Sequence, residues 1–434
     1  MLNQFTASLW GDEGFSAILS MKSFPDLIRT VARDTSPPLW NINEWVVFNI
    51  FGASEVAIRS LAFFYYLIAA FFAYKIAGHF WNRKTALIAT ILTFLNPFFF
   101  IYAFEGRMYS ILAAGVTASM YFFIKKQWLP YVISTLWAMY SHHFAIFALF
   151  VQGLWFLFEL FGGDKKTAKS MFKAFIAIGV GYIPWLIPLY NQTRMVGGGF
   201  WLGTPTTTDL RNLFFDYLGE GIKHPYARLA RILVIVALAL RVWTKDIKKS
   251  LLLFLWFVLP VFTTWLVSQK FTSIFFNRYL LYTIPAAMIL LATNRRKLGN
   301  FLIFVIIALF AIIDWHYFTH PTKIPFRDLA FYVKQTQTKE DLLINEDAGN
   351  HKLWESKYYG IPAPIYNPSN EPLPFFVGTA LMEKSDIISE IPRDTERLGV
   401  ITYKKVPELK FRGFRAIEEK SFGNLNFIWM EKIK

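Results

Sequence analysis

Residues 60–103 read SLAFFYYLIAAFFAYKIAGHFWNRKTALIATILTFLNPFFFIYA, and this stretch decides the fold. It contains two apolar runs, residues 60–79 and 85–103, separated by a turn that carries Arg83 and Lys84. An α-helix needs about 20 apolar residues to cross the hydrocarbon core of a bilayer. Because cytoplasmic loops carry an excess of Lys and Arg, the stretch predicts two membrane-spanning helices joined by a cytoplasmic turn.

The same pattern continues along the chain and predicts ten membrane spans. Basic turns recur at every second connection, as the preference of Lys and Arg for cytoplasmic loops requires. The predicted spans are residues 60–79, 85–103, 108–124, 128–141, 143–161, 172–190, 229–243, 250–268, 277–293 and 299–316. The later basic turns contain Lys125 and Lys126, then Lys165, Lys166 and Lys169, then Lys245, Lys248 and Lys249, then Arg295, Arg296 and Lys297.

The overall composition agrees with a multi-pass membrane protein. Of the 434 residues, 55% are hydrophobic and only 17% are charged, whereas soluble domains carry about 25% charged residues. The formal charge of +15 comes from short basic clusters between apolar runs, which argues against a nucleic-acid partner. The chain has no cysteine, so it has neither a disulfide framework nor a thiolate metal site.

This topology divides the chain into three predicted domains. Residues 1–59 form an extracytoplasmic loop, residues 60–316 the transmembrane helical bundle, and residues 317–434 a small extracytoplasmic α/β domain. In the last domain we expect a helix at residues 326–337, strands at 342–345 and 399–403, and a hairpin of 411–418 with 425–429 through Phe422, Gly423 and Asn424.

The N-terminal segment has the pattern of two short interfacial helices. Apolar residues recur at helical spacing beside basic ones, which is typical of helices that lie in the membrane interface. Pro25, two residues after Ser23, suits the first turn of the second helix and separates it from the first. With ten spans, residues 1–59 would lie outside the cytoplasm although no membrane helix precedes them. We therefore expect that the natural chain, or its ancestor, begins with one more membrane helix ending near Trp10 and that Met1 is an internal or late start; an exported N-terminal tail is the alternative.

Carboxylates in two outward segments are candidate catalytic groups. Asp12 and Glu13 lie where an acid can meet both a lipid-borne donor and a soluble acceptor, although Asp12 also suits a helix N-cap with Glu13 in the first turn. Glu105 follows an interruption at Asn96-Pro97, and an acid at membrane depth usually has a partner and a function.

Other polar groups in the outward turns are candidate binding residues. Arg107 and Tyr109 either contact a donor phosphate or anchor the chain at the interface. His142 and His143 can bind a phosphate, a sugar hydroxyl or a metal, or are polar turn residues without chemistry. Three residues flank the entry of the ninth span, where they can hold an anionic phosphate or snorkel: Lys270, Arg278 and Tyr279.

These motifs, in this order, resemble the GT-C superfamily of membrane glycosyltransferases, in particular the bacterial group of protein O-mannosyltransferase-like and aminoarabinose transferase-like enzymes. The resemblance covers about residues 9–335 and lacks the family's first helix. It rests on Leu9-Trp10-Gly11-Asp12-Glu13, Pro37-Pro38-Leu39-Trp40, Phe51-Gly52 to Arg59, Asn96-Pro97, Glu105-Gly106-Arg107-Met108-Tyr109, Ser141-His142-His143 and Asn277-Arg278-Tyr279.

The resemblance implies an inverting hexosyl- or pentosyltransferase in the plasma membrane of a prokaryote. The donor would be a polyprenyl-phosphate sugar and the acceptor a glycan, lipid or protein. Asp12 would be the catalytic base and Glu13 would orient the acceptor or the loop. Arg278, with Arg107 and Lys270, would stabilise the leaving phosphate. A divalent metal cofactor is a further expectation, for which no ligands are assigned.

Two other functions fit the sequence. A transporter or flippase of lipid-linked sugars would use the same lipid partner without a bond-making step, but transporters place polar groups nearer the middle of their spans. A receptor or assembly subunit would use the membrane part only as an anchor, for which ten spans are excessive.

Overall fold

The computed structural model describes residues 2–241, 247–293, 297–346 and 352–433. The predicted cytoplasmic residues Lys245, Arg295 and Arg296 lie outside these ranges. The chain forms two compact units. The sheet unit comprises Met1–Asp34, Glu44–Ile58 and Pro321–Lys434, and the helical unit comprises Thr35–Asn43 and Arg59–His320.

Helices make up most of the described chain. In chain order they are α1 (Gly11–Ser20), α2 (Phe24–Val31), α3 (Leu39–Phe51), α4 (Glu55–Phe80), α5 (Arg83–Phe94), α6 (Pro97–Ile101), α7 (Tyr109–Ile124), α8 (Trp128–Ser141), α9 (Ala145–Gly162), α10 (Lys165–Tyr182), α11 (Leu186–Gly197), α12 (Thr207–Phe215), α13 (Ala227–Ala239), α14 (Ile247–Val267), α15 (Asn277–Leu280), α16 (Ile284–Ala292), α17 (Lys297–Thr319), α18 (Phe326–Thr336) and α19 (Lys352–Tyr358).

Among the described residues, five helices are long and apolar enough to cross a membrane: Glu55–Phe80, Ala145–Gly162, Lys165–Gly197, Ile247–Val267 and Lys297–Thr319. A sixth crossing results if α5 and the bent segment after it form one span. The sequence predicts ten. Helices occur in the other predicted spans too, but they are short: α8 has 14 residues and α13 has 13, below the length that a straight crossing needs. The number ten is therefore not established.

The predicted interruption at Asn96-Pro97 is confirmed. The helical axis bends by 58° between Arg83–Phe94 and Pro97–Phe104. Asn96 caps the second segment, because its side-chain oxygen accepts a hydrogen bond from the Phe99 N–H at 3.0 Å. Its amide nitrogen donates to the Tyr217 carbonyl at 2.9 Å. The bend turns the chain at the end of the helix and fixes where the Glu105 turn begins.

The two predicted N-terminal helices are also present, as α1 and α2. Ser23 is the N-cap of α2 and accepts a hydrogen bond from the Asp26 N–H, and Pro25 lies in the first turn, where its missing N–H costs nothing. In the sheet unit Glu44 accepts hydrogen bonds from Ser16 at 2.6 Å and Ser20 at 3.0 Å. These bonds fix one face of α1 to α3.

The C-terminal part of the sheet unit has one mixed six-stranded sheet in the described residues. The strands are β1 (Leu342–Asn345), β2 (Ile365–Tyr366), β3 (Ile387–Ile388), β4 (Arg397–Thr402), β5 (Phe414–Phe422) and β6 (Leu425–Lys432). Their order is β3-β2-β1-β4-β6-β5, parallel from β3 to β4 and antiparallel from β4 to β5. α18 packs Leu329 and Val333 against one face of the sheet, which includes Phe427 and Trp429.

Most elements predicted in this part are confirmed, with three differences. The hairpin strand continues to Phe422, so the turn consists of Gly423 and Asn424 alone. Gly423 has a φ of 66°, which glycine adopts without strain. The two-residue strands β2 and β3 are too short to leave a pattern in the sequence. Helix α19 was not predicted either, because it is short and polar.

Candidate functional site

Asp12 lies in the first turn of α1, where it is partly exposed. The N-cap of this helix is Trp10, and α1 begins at Gly11. Asp12 is therefore the second helical residue, and the interpretation of Asp12 as an N-cap is wrong. Its charge still benefits from the positive end of the helix dipole. The carboxylate is held in place by a helix whose other face is fixed to Glu44.

Glu13 is fully buried and has a structural environment. Its carboxylate forms an ion pair with the Lys323 ammonium group at 3.0 Å. It also accepts a hydrogen bond from the Trp10 N–H at 3.4 Å, as the third residue of a capping box does. Breaking a buried ion pair from one side costs about 3–5 kcal/mol. Glu13 thus ties the first turn of α1 to Lys323.

A third carboxyl group, Glu355 on α19, belongs to this acidic cluster and was not predicted. α19 packs directly on α1: a Cβ on Gly14 would lie 3.0 Å from the Trp354 carbonyl carbon and 3.1 Å from the Glu355 nitrogen. Burial raises the pKa of Glu355 to about 8; the charge of Lys352 opposes this rise, whereas those of Glu13 and Asp12 add to it. In the sequence Glu355 is a single acidic residue in a short polar segment. No pattern there indicates that its side chain is buried.

A second cluster lies in the helical unit, at the turn that contains Glu105. The turn is tight, because the Arg107 N–H donates to the Glu105 carbonyl at 2.7 Å and the Tyr109 N–H to the Arg107 carbonyl at 2.9 Å. Tyr109 is buried and stacks on Tyr279, with ring centroids 6.2 Å apart. The Arg278 guanidinium carbon lies 5.4 Å from the Tyr109 ring centroid. Two predicted motifs distant in sequence therefore meet.

His142 joins the same cluster. Its ring centroid lies 4.9 Å from that of Tyr279, and its Nδ1 accepts a hydrogen bond from the Phe144 N–H at 3.1 Å. The pKa of His142 is held well below its usual value, first by burial and then by the charges of His143, Arg107 and Arg278. The imidazole is therefore neutral, and both guanidinium groups act on it. We call Arg107, Tyr109, His142, Arg278 and Tyr279 the basic cluster.

His143 and Lys270 have different environments. The His143 Nε2 lies 2.8 Å from the Gln192 side-chain oxygen, and its Nδ1 lies 3.4 Å from the Tyr182 hydroxyl, so both ring nitrogens have protein partners. Lys270 is exposed on the turn after α14. Within the described part of the chain its side chain forms no hydrogen bond or ion pair, and the structure does not bring it to the basic cluster.

Asp216 is a further acid near the basic cluster that sequence reasoning missed. Burial raises its pKa to about 6, against which a hydrogen bond with the Asn277 side chain acts. The neighbouring Tyr217 hydroxyl donates to the Asn277 carbonyl. These bonds hold the start of α15, and therefore Arg278, in position. A single Asp in a long loop carries no pattern that could have indicated this role.

The chemistry of the two clusters differs. Two guanidinium groups beside a neutral imidazole and aromatic rings suit an anionic phosphate, because guanidinium binds phosphate oxygens through two parallel hydrogen bonds. The acidic cluster offers a partly exposed carboxylate that can accept a proton. Across the described residues, no group of three His, Cys, Asp or Glu side chains has the geometry of a metal site.

No family model matches the chain, and no curated protein matches its sequence. Solved structures with a similar fold include apo ArnT from Cupriavidus metallidurans, with a TM-score of 0.67, 13% identity and coverage of 98% of this chain and 95% of that one. The same enzyme bound to undecaprenyl phosphate gives a TM-score of 0.65 at 12% identity over the same shares of both chains. The archaeal oligosaccharyltransferase AglB from Archaeoglobus fulgidus, in complex with an inhibitory peptide and a dolichol-phosphate, gives a TM-score of 0.50 at 12% identity over 92% of this chain and 66% of that one.

ArnT and AglB both belong to the GT-C superfamily. The resemblance inferred from the sequence motifs is therefore confirmed at the level of the fold, along nearly the whole chain. At identities of 13% and below, the likeness establishes the architecture. Function has to be argued from the residues in the two clusters.

Proposed function

We propose that this chain is an inverting glycosyltransferase that moves a sugar from a polyprenyl-phosphate donor to an acceptor hydroxyl on the outer face of the cytoplasmic membrane. The observation that carries the proposal is the basic cluster within a GT-C-type fold, where the Arg278 guanidinium carbon lies 5.4 Å from the Tyr109 ring centroid and the buried His142 ring lies 4.9 Å from that of Tyr279. The Arg278 guanidinium lies over the Tyr109 and Phe276 rings, and a planar cation held in this way suits a phosphate rather than a neutral sugar.

The fold neighbours support this choice of donor. One neighbour is ArnT with bound undecaprenyl phosphate and another is AglB with a dolichol-phosphate, so lipid phosphates bind to proteins of this architecture. In the proposed reaction Arg107 and Arg278 bind the donor phosphate and stabilise the negative charge that develops on it as the sugar departs. The Tyr109 and Phe276 rings, with centroids 5.4 Å and 4.8 Å from the guanidinium carbon, hold Arg278 in place.

Asp12 is the proposed base. Its carboxylate takes the proton of the acceptor hydroxyl, the acceptor oxygen attacks the anomeric carbon, and the bond from that carbon to the phosphate oxygen breaks with its electron pair. Polyprenyl phosphate leaves, and the anomeric centre inverts. No acid has to protonate the leaving group, because the phosphate is already a stable anion. Glu13 and Glu355 support Asp12, and Glu105 is the next acid to consider.

The proposal includes a location. The acidic motif, residues 1–59 and residues 317–434 would lie outside the cytoplasm, and residues 60–316 would cross the membrane. The acceptor, a glycan, a lipid or a protein, would then approach from outside. The lipid tail of the donor would remain in the bilayer.

The test uses the purified chain in detergent with radiolabelled undecaprenyl-phosphate sugars and membranes from a strain that lacks the gene as the acceptor source. The proposal predicts transfer of label to an acceptor with release of undecaprenyl phosphate, and loss of both with Arg278→Ala. A transporter would bind the donor and leave the sugar–phosphate bond intact. Intact donor in the presence of all acceptor fractions would overturn the transferase assignment.

A further inference from the structure

A cavity of about 150 Å³ lies within the helical unit, where six helices begin or end. Residues near these helix ends form its wall: Phe80 of α4, Ile124 of α7, Trp128 of α8, Glu159 of α9, Thr167 of α10 and Lys249 of α14. α4, α9, α14 and the segment that begins with α10 are long and apolar enough to cross a membrane. The cavity therefore lies at one end of the membrane-spanning helices, and the proposed transfer reaction does not use it.

The cavity and the basic cluster lie at opposite ends of α7. This helix begins at Tyr109, which belongs to the basic cluster, and ends at Ile124, which lines the cavity. A helix rises about 1.5 Å per residue, so its two ends are about 23 Å apart, which is most of the thickness of the hydrocarbon core. With the basic cluster at the outer face, as proposed above, the cavity lies at the level of the inner leaflet.

Three ammonium groups line this cavity, those of Lys126, Lys248 and Lys249. The Lys249 Nζ donates to the Phe80 carbonyl at 2.7 Å, and the Lys126 Nζ donates to the Thr167 hydroxyl at 2.7 Å, so the wall holds both in place. Lys248 is exposed. Because an ammonium group has three N–H donors, each lysine can bind an anion and keep the contacts it already makes.

The neighbouring acids leave the cavity positive. Glu159 also lines it, and its carboxylate accepts a hydrogen bond from the Asp164 N–H at 3.1 Å. The Asp164 carboxylate caps α10, accepting from the N–H groups of Lys166 at 2.9 Å and Thr167 at 3.2 Å, and lies 3.6 Å from the Lys126 ammonium group. Backbone N–H groups at the start of α10 thus orient both acids. Three ammonium groups remain against two carboxylates.

The rest of the wall is apolar and largely aromatic, with Phe80, Phe123, Trp128, Trp155, Met171 and Leu252. Tryptophan is enriched where a membrane meets water, because its ring is apolar at one end and polar at the other. On the outer surface of α9 and α10, Phe158, Phe161 and Phe172 are exposed, as residues that face lipid are. A soluble anion gains nothing from an apolar wall, whereas a phospholipid carries a phosphate and hydrocarbon chains in one molecule.

We propose that this cavity binds an anionic phospholipid of the inner leaflet, with the phosphate at the three lysines and the first part of an acyl chain on the aromatic wall. Basic pockets between membrane helices on the cytoplasmic side bind lipid headgroups of this charge. The bound lipid would hold the ends of the helices together at this side of the bundle. The choice of leaflet rests on the location proposed above, whereas the preference for an anionic headgroup rests on the cavity itself.

The experiment measures lipid binding to the purified full chain in a non-ionic detergent by native mass spectrometry. The probes are phosphatidylglycerol and phosphatidylcholine with identical acyl chains, of which only the first has a net negative charge. We expect one phosphatidylglycerol per chain to bind more tightly than phosphatidylcholine. Lys126→Gln and Lys248→Gln should each weaken this binding about fivefold, the usual effect of one lysine near an anionic lipid surface.

Lys169→Gln is the matched control, because it removes an exposed lysine from the opposite face of α10 to Thr167 and should leave the binding of phosphatidylglycerol unchanged. Equal binding of the two lipids, or unchanged binding of phosphatidylglycerol in both Lys126→Gln and Lys248→Gln, would overturn the proposal. Displacement of the lipid by inorganic phosphate would do the same, since it would identify a site for a free anion.

A second measurement tests whether the lipid occupies the cavity. Bromine atoms on an acyl chain quench the fluorescence of a tryptophan that they contact. The extra quenching by brominated phosphatidylglycerol over brominated phosphatidylcholine should decrease in Trp155→Phe. If it persists there and in Trp128→Phe, the lipid lies on the outer surface and the cavity is not the site.

Arg278→Ala separates this site from the one proposed for the donor. The variant should bind phosphatidylglycerol as the unmodified chain does, because Arg278 belongs to the basic cluster at the other end of α7. Loss of binding in this variant would move the lipid to the basic cluster and contradict the proposal. Since none of these readouts involves sugar transfer, failure of this proposal is distinct from failure of the proposed function.

Discussion

Arg278 lies over the ring of Tyr109, with its guanidinium carbon 5.4 Å from the ring centroid. A cation on an aromatic face is attracted by the ring quadrupole, and the planar guanidinium group also stacks there. The contact joins the start of α15 to the start of α7 and leaves the guanidinium nitrogens oriented by a rigid support. It is the structural basis for assigning Arg278 to phosphate rather than to snorkelling at the membrane surface.

Arg278→Ala is expected to weaken use of the polyprenyl-phosphate donor, because it removes one of the two cations assigned to the phosphate. Arg107→Ala should act in the same direction. Arg278→Lys should restore activity only in part, since an ammonium group keeps the charge but not the planar contact with Tyr109. Donor titrations with the purified variants measure the effect. Arg228→Ala, which removes an exposed arginine elsewhere in the helical unit, is the matched control.

Lys270→Ala should have little effect on donor use, although the sequence places Lys270 beside Arg278 as a candidate. The reason is that its side chain is exposed and makes no polar contact within the described ranges. The same donor titration decides: a loss comparable to that of Arg278→Ala would return Lys270 to the phosphate site.

Asp12→Asn should reduce transfer by about 10² to 10⁴, the usual contribution of a general base, and leave donor binding intact. Because Asp12 is the second residue of α1 rather than its cap, the substitution removes only a modest charge–dipole interaction and the protein should remain folded. Turnover and donor affinity are measured on the same sample. Wild-type turnover would contradict the assignment of Asp12 and direct attention to Glu105.

Glu13→Gln should lower thermal stability more than Asp12→Asn does. The amide removes the charge that faces Lys323 at 3.0 Å in a fully buried position, and truncated buried pairs cost about 3–5 kcal/mol. Thermal unfolding in detergent compares the two variants. If Glu13→Gln melts with the wild type and loses turnover instead, Glu13 has a chemical rather than a supporting role.

Glu355 makes the sheet unit sensitive to pH in a predictable direction. Its pKa rises from 4.5 to about 8 on folding, so between these values the folded chain keeps a proton that the unfolded chain releases. Stability should therefore fall as the pH rises through this window. Glu355→Gln mimics the neutral form and should reduce that dependence, whereas Glu371→Gln, an exposed control, should not. Melting temperatures at the two ends of the window measure both.

The proposed location is open to a direct test, because the chain has no native cysteine. Single cysteines at Arg33 and Ser369 should react with an impermeant thiol reagent in intact cells, and one at Lys165 should not. All three side chains are exposed, so lack of reaction reports on the side of the membrane rather than on burial. The opposite labelling pattern would place the acidic motif in the cytoplasm.

Local sequence signals predicted those features that depend on neighbouring residues. Asn96-Pro97 indicated a helix break because proline cannot continue the helix and asparagine caps the next one. Ser23 and Pro25 indicated the start of α2 for the same reason. The strands β1, β4 and β6 are apolar runs of sufficient length to be recognised.

Features that depend on distant parts of the chain were not predictable. α19 has too few residues and too many polar ones to show an apolar period, and its stability comes from packing on α1. The sequence therefore contains no signal that predicts Glu355 close to Asp12.

The close approach of Gly14 to Trp354 and Glu355 limits which residues position 14 can hold. It also limits which segments can be exchanged between homologous proteins. Any larger residue at position 14 meets backbone atoms rather than a movable side chain, so it requires a compensating change near the far end of the coding sequence. We therefore expect glycine at position 14 in homologues in which the C-terminal helix packs equally close to the first one. Chimaeras that exchange the C-terminal domain without exchanging the first twenty or so residues should fold poorly, and exchanging both segments together should restore them.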